Sequence, residues 1–244
     1  MLTRGKAQSA ERPKRFYATA DPGVIDDGFG VLLDGRPVRT PGGARVQLPT
    51  PALAQLVAAE WAAQGEHIAL SDMPATRLAF TAIDRAPDAR QEVAGEIADK
   101  AGADALCYFA EGPDSLVERQ IAHWGPILDW ADEELGLQFV RVAGLIHQPQ
   151  PPASMARVRS LALELGDFQL TGLINAAGLF GSVMLAFALQ RGRLDGEAAF
   201  DLSRLDEAFQ EERWGVDEEA AARTARLRRE AVTLDKWFAA LGPN

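Results

Sequence analysis

The side chains best suited to reactive chemistry are few and scattered. The three histidines, His67, His123 and His147, lie far apart, and none falls in an HExxH or Glu-x-x-His arrangement, so no metal centre is expected. The single cysteine, Cys107, sits in the apolar run Ala105-Leu106-Cys107-Tyr108-Phe109 and is expected to be a buried, inert thiol rather than a nucleophile. One cysteine also excludes an internal disulfide and any zinc site built on cysteine pairs, which points to a reducing compartment. No GxxxxGK phosphate loop, GxGxxG turn or GxSxG elbow occurs. Leu179-Phe180-Gly181-Ser182 comes nearest to an exposed serine turn. Its apolar surroundings assign it to helix packing, with the Ser182 hydroxyl bonded back to a carbonyl. No cofactor is expected.

Carboxylates are plentiful. Between residues 201 and 219 stand Asp201, Asp206, Glu207, Glu211, Glu212, Asp217, Glu218 and Glu219, against only Arg204 and Arg213. Glu207 and Glu211 are like charges one helical turn apart, which costs about a few tenths of a kcal/mol in an isolated helix. Three readings are open: a solubilising face, a carboxylate pair in an enzyme acting on a small molecule, or a surface that receives a basic protein. The enzyme requires a pocket holding two acids a few ångströms apart. The protein surface requires only that the charges share a face.

These residues are carried by a chain of 244 residues, 47% hydrophobic and 25% charged, long enough to bury a sizeable core. The net charge of −10 argues against nucleic-acid binding, which depends on lysine and arginine neutralising phosphates. The charge is uneven: residues 1 to 50 carry 8 basic and 5 acidic side chains, so the excess of acid lies entirely in the remainder. The first 16 residues are basic without a following apolar stretch and read as a mobile tail, not a secretory signal. The window between Asp167 and Arg191 holds no charge and is as long as a membrane span. Gln169, Thr171, Asn175 and Ser182 interrupt it, and Gly178 and Gly181 predict a break between two shorter helices, so no stable membrane insertion is expected.

Residues 16 to 48 alternate apolar and polar side chains around Asp26-Asp27-Gly28, Asp34-Gly35 and Pro41-Gly42-Gly43, the pattern of a meander of short antiparallel strands. At Thr50-Pro51 the period changes to helical, with Thr50 as cap and Leu53, Val57 and Trp61 in phase; Trp61 is therefore assigned to the core. Pro74 opens a second helix. From there the chain reads as helix almost throughout: near 88 to 101, then from a capping box of Asp114-Ser115 with Glu118, interrupted at Pro126 and closed by Gly136. Leu116, Ile121, Trp124, Leu128, Ala131 and Leu135 form the expected apolar stripe of that helix. Further helices are expected near 153 to 165, near 196 to 214, and from 217 toward 241. The fold class is α+β: a small N-terminal antiparallel β-rich domain with one or two helices, residues 1 to 84, followed by a larger all-helical domain, residues 85 to 244.

Several stretches taken in order are similar to a known family. Arg15-Phe16-Tyr17, the run from Leu33-Asp34-Gly35-Arg36 to Thr40-Pro41, Glu60-Trp61 with Gln64, and Met73-Pro74 with Thr76-Arg77-Leu78 resemble the first part of the assembly chaperone for the alpha subunit of F-type ATP synthase. Asp104 with Leu106-Cys107-Tyr108, Gly181-Ser182, and Leu205-Asp206-Glu207 with Phe209-Gln210 and Trp214-Gly215 resemble its later signatures. The resemblance implies a non-enzymatic factor that binds the unassembled alpha subunit and shields the surface later covered by the beta subunit. A monomer without a nucleic-acid partner is expected; members of the family in eukaryotes work in the mitochondrial matrix, whereas the arginine-rich, alanine-rich composition and the lack of a clear transit peptide here point to a bacterial cytoplasm. Joined to the acidic run, the resemblance selects Asp206, Glu207, Gln210, Glu211 and Trp214 as partner-binding residues.

Overall fold

The computed structural model describes residues 13–144, 146–215 and 218–242. Its N-terminal part is a three-stranded antiparallel sheet, β1 (Ala20–Ile25), β2 (Gly28–Leu33) and β3 (Arg36–Pro37), in that spatial order. Ile25 pairs with Gly28 and Leu33 with Arg36, so both hairpins turn on two residues. Asp34 and Gly35 both take positive φ, 47° and 78°, the geometry that matches the twist of a two-residue hairpin. The Asp34 carboxylate then accepts from the backbone N–H groups of Ala18 and Thr19, which hold it below its ordinary pKa and tie the incoming chain to the turn.

Helix α1 (Pro51–Ala62) packs Leu53, Ala54, Val57, Ala58 and Trp61 into the core against the strands. Thr50 caps it as expected, its Oγ1 accepting from Leu53 N at 3.1 Å. The same hydroxyl donates to the carbonyl of Ala240 at 2.6 Å, so one threonine joins the start of α1 to the last turn of the final helix. Helix α2 (Pro74–Asp84) has no capping side chain of its own. Glu60 of α1 supplies the acceptors, taking the N–H groups of Ala75 and Thr76 at 2.8 and 2.7 Å; burial raises its pKa and these bonds oppose the rise.

The helical part continues with α3 (Ala86–Ala101), α4 (Asp114–Leu135), α5 (Pro152–Glu164), α6 (Asp167–Phe180), α7 (Val183–Gln190), α8 (Gly196–Ser203), α9 (Leu205–Trp214) and α10 (Glu218–Leu241). A short parallel pair, β4 (Tyr108–Phe109) with β5 (Val142–Ala143), lies among them. Among the described residues no helix is long and apolar enough to cross a membrane. The uncharged window is instead α6 and α7, separated by Gly181 at φ 63° and packed at the centre of the helices. Buried residues from Tyr17 to Phe238 form one contiguous core.

Four local expectations change. Pro113 precedes α4 and no side chain caps it, so Asp114 lies in the first turn rather than in a capping box. Pro126 is accommodated inside α4 without ending it. Ile121 is 57% exposed, and Gln120, fully buried, takes the inward position because its amide is needed there for hydrogen bonds. Residues 196 to 214 form two helices, α8 and α9, broken at Arg204.

Ser182 also differs from expectation: it caps α7, its Oγ accepting from Leu185 N at 3.1 Å. Beside it, the fully buried carboxylate of Asp104 accepts from Val183 N at 2.6 Å, Met184 N at 3.1 Å and Leu106 N at 3.1 Å. Burial raises the Asp104 pKa, and the bonds from Ser182 and these backbone groups oppose the rise. Next to it Cys107 is fully buried, and burial, reinforced by the Asp104 charge, pushes its thiol up to about 12.

Asp104→Ala leaves several buried N–H groups without an acceptor and is expected to cost about 3 kcal/mol, measured by urea unfolding. Gly196→Ala is expected to cost about 2 kcal/mol in the same assay, because a Cβ there lies 2.4 Å from the carbonyl oxygen of Ala231 and must push α8 off α10. Cys107 is expected to resist thiol reagents at pH 8 until the protein opens. Since its folded pKa exceeds the unfolded value, its contribution to stability is complete below about pH 8.5 and is lost as pH rises toward the folded value; comparison of labelling and unfolding rates checks the first point, and a pH series of unfolding midpoints the second.

Candidate functional site

The acidic run lies on α9, which is anchored from beneath by apolar and amide contacts. Leu205 and Phe209 are buried, and the guanidinium groups of Arg119 and Arg213 lie 5.3 and 4.2 Å from the Phe209 ring centroid. Arg119, on α4, also grips Glu212 with two bonds of 2.8 and 3.0 Å, which hold the Glu212 pKa below its ordinary value. Trp124 donates to the carbonyl of Leu202 at 3.0 Å, fixing the end of α8 just before the break. Gln120 does two jobs: its Oε1 accepts from Ala110 N at 2.8 Å and its Nε2 donates to Asp206 at 2.8 Å.

This anchoring divides the five residues selected from the sequence. Glu207, Gln210, Glu211 and Trp214 are spaced i, i+3, i+4 and i+7, which puts them on one stripe of the helix. Glu207, Gln210 and Trp214 are exposed and Glu211 is half-buried. Asp206 is turned away from that stripe toward Gln120. Its burial raises its pKa, the Gln120 bond opposes this, and the Glu207 charge adds to the rise. Of the other acids in the run, Asp201 pairs with Arg228 of α10 at 2.6 Å, Glu218 and Glu219 open α10, and Asp217 lies outside the described residues.

Arg204, at the break before α9, reaches back over the helix to Glu211 at 3.3 Å and Glu207 at 3.7 Å. It sits between two like charges and offsets their mutual repulsion. Trp214 ends the stripe with 78% of its surface exposed, and Gly215, at φ 83°, stops the helix directly behind it. An indole left this open beside carboxylates is the composition of an interaction surface, in which the ring supplies contact area and the charges supply orientation.

Arg119, Gln120 and Phe209, which hold α9 in place, were not among the residues picked from the sequence. The only signal for Gln120 is a polar residue at an inward phase of an amphipathic helix. Among the described residues the remaining histidines, the cysteine and the buried acids lie apart from one another or are occupied by structural hydrogen bonds. Among the described residues no three histidines, cysteines or carboxylates form a group able to hold a metal ion. His67 and His123 are exposed, and His147 shares a 2.9 Å bond with the Tyr108 hydroxyl. The buried acids Glu60 and Asp104 are occupied by backbone donors.

Comparison with known proteins adds to this geometry. Residues 14–132 match the family model described as ATP12 chaperone protein. The crystal structure of Atp12 from Paracoccus denitrificans superposes with a TM-score of 0.86 at 39% identity, covering 94% of this chain and 99% of that one. The Atu1473 protein of Agrobacterium tumefaciens gives 0.87 at 38% identity, over 94% of this chain and 87% of that one. The mitochondrial protein atp12 of Schizosaccharomyces pombe is 26% identical over 219 residues, 85% of this chain and 75% of the yeast protein. Identity near two residues in five, sustained across nearly the full length of the Paracoccus chain with the same α+β architecture, shows that this protein belongs to the ATP12 chaperone family.

Proposed function

We propose that this protein binds the unassembled alpha subunit of F-type ATP synthase and holds it for assembly of the soluble catalytic head, shielding the surface that the beta subunit later covers. The observation that carries the proposal is the stripe Glu207, Gln210, Glu211 and Trp214, exposed on a helix whose opposite side is firmly anchored. Family membership supports the assembly role. In this reading the two glutamates receive basic groups of the alpha subunit, Gln210 supplies a neutral hydrogen-bonding group between them, and Trp214 buries its indole against the client. Asp206, through Gln120, keeps α9 at the angle that presents them.

The protein acts without a reactive group or cofactor, because holding a client requires shape and charge complementarity alone. It works as a monomer, in the cytoplasm of a bacterium or the matrix of a mitochondrion. The sheet-bearing part, residues 1 to 84, and the helical part, residues 85 to 244, divide the labour, with the acidic stripe belonging to the second.

Mixing the protein with the alpha subunit of its own ATP synthase and following the complex by size-exclusion chromatography tests this. A complex is expected that weakens between low and moderate salt and is displaced by the beta subunit. Absence of a complex at either salt overturns the proposal. Glu207→Lys combined with Glu211→Lys is expected to weaken binding by about tenfold or more, and Trp214→Ala by about 2 kcal/mol, with the circular dichroism of each variant unchanged. Undiminished binding by both variants would remove α9 from the interface.

A further inference from the structure

A second surface, of the opposite character, lies on the sheet side of the molecule. Phe16 is 73% exposed and stands between two open clefts, of about 630 and 510 Å³, both of which it lines together with Arg39 and Trp61. Tyr17, Leu33 and Val38 add apolar wall to the first cleft, and Ile68, Leu70 and Phe80 to the second. Leu70 is itself 41% exposed, so the apolar lining continues out to the surface. Trp61 is 6% exposed, and its indole N–H has no acceptor among the described residues.

The charges around the clefts are unequal. Arg36 and Arg39 are exposed, and neither forms an ion pair among the described residues; Arg39 makes one bond, to the carbonyl of Gly43 at 2.7 Å. Asp34, the one acid lining them, is engaged by the backbone N–H groups of Ala18 and Thr19. Arg15 is engaged as well, bonded to the carbonyls of Tyr17, Ala18 and Gln64 with its guanidinium 4.6 Å from the Tyr17 ring centroid. Two cations without an ion pair among the described residues thus border an apolar floor.

We infer that these paired clefts are a docking site for an extended segment of the client chain that carries carboxylates next to a large apolar side chain. The apolar side chain packs against Phe16 and fills a cleft, and the carboxylates meet Arg36 and Arg39. The inference rests on the holding role proposed above only for the identity of the client. Its chemistry is opposite to that of α9: the helix face selects basic groups, and these clefts select acidic ones.

Overlapping peptides tiling the alpha subunit, immobilised and probed with the full-length protein, give the direct test. Wild type is expected to retain peptides that combine acidic and aromatic or aliphatic residues. Arg36→Glu with Arg39→Glu is expected to lose them by about tenfold or more, as is Phe16→Ser, while Glu207→Lys retains them. These positions are exposed, so folding is preserved, which circular dichroism checks. Failure of wild type to retain any acidic-apolar peptide, or equal retention by the arginine variant, overturns the inference. Full-length alpha subunit, tested on the same proteins, separates the two proposals. If wild type binds it and the arginine variant binds it equally well, the docking site falls and the holding role stands. If wild type does not bind it, the holding role falls and the peptides alone decide the docking site.

Discussion

The first turn of α7, from Ser182 onward, is buried, and its backbone donors must still be satisfied. The first N–H groups of a helix have no partner within it, and leaving them unpaired in the core is costly. Asp104 resolves this for α7 from outside the helix, by accepting from Val183 and Met184 while also accepting from Leu106 at the start of its own short turn. The carboxylate thereby ties the loop after α3 to the corner between two helices that carry no charged side chain between Asp167 and Arg191. Since α6 packs on α2, α3 and α10, and α7 on α4 and α8, the placement of most helices depends on that corner being closed.

The same contact reaches the acidic helix by a short route. From Asp104 the chain runs through the turn Ala105–Cys107 into β4 and Ala110, whose N–H is accepted by Gln120 of α4. The other end of the Gln120 amide holds Asp206. A buried amide that donates at one end and accepts at the other fixes orientation as well as distance, because flipping it would set donor against donor and acceptor against acceptor. The presentation of Glu207, Gln210, Glu211 and Trp214 is thus a consequence of core geometry, although none of the four lies in the core.

Much of this was legible in residue order because it is local. Thr50-Pro51 announces a capped helix, Asp34-Gly35 a tight hairpin, and the glycine at 181 the break in the uncharged window, each through the backbone geometry its side chain permits. The i, i+3, i+4, i+7 spacing of Glu207, Gln210, Glu211 and Trp214 is local too, so a shared face followed once α9 was a helix. What was not legible depends on partners distant in sequence. Gln120 is a polar residue at an inward phase whose purpose shows only when Ala110 and Asp206 are placed around it, and Ile121 turns outward as its neighbour turns in. Ser182 had a plausible local acceptor and instead became the cap of α7. Glu60, which looks like one more surface acid, caps a helix that begins fourteen residues later.

The partial neutralisation of α9 bears on how a holding surface works. Two bare glutamates one turn apart repel each other and are heavily hydrated, so a client cation would have to displace water while its own hydration was lost. Arg204 already lies against both, at distances longer than a tight ion pair, and it is itself partly exposed. Exchanging one guanidinium for another leaves the number of ion pairs nearly unchanged, and the charges then contribute orientation and encounter rate more than affinity. Affinity in such an arrangement must come from apolar contact, which on this stripe only Trp214 can supply in quantity. Under the proposed holding role, a site whose charges exchange at little net cost and whose apolar contact is a single indole would grip a client without trapping it, the balance that handing a client on to another subunit requires.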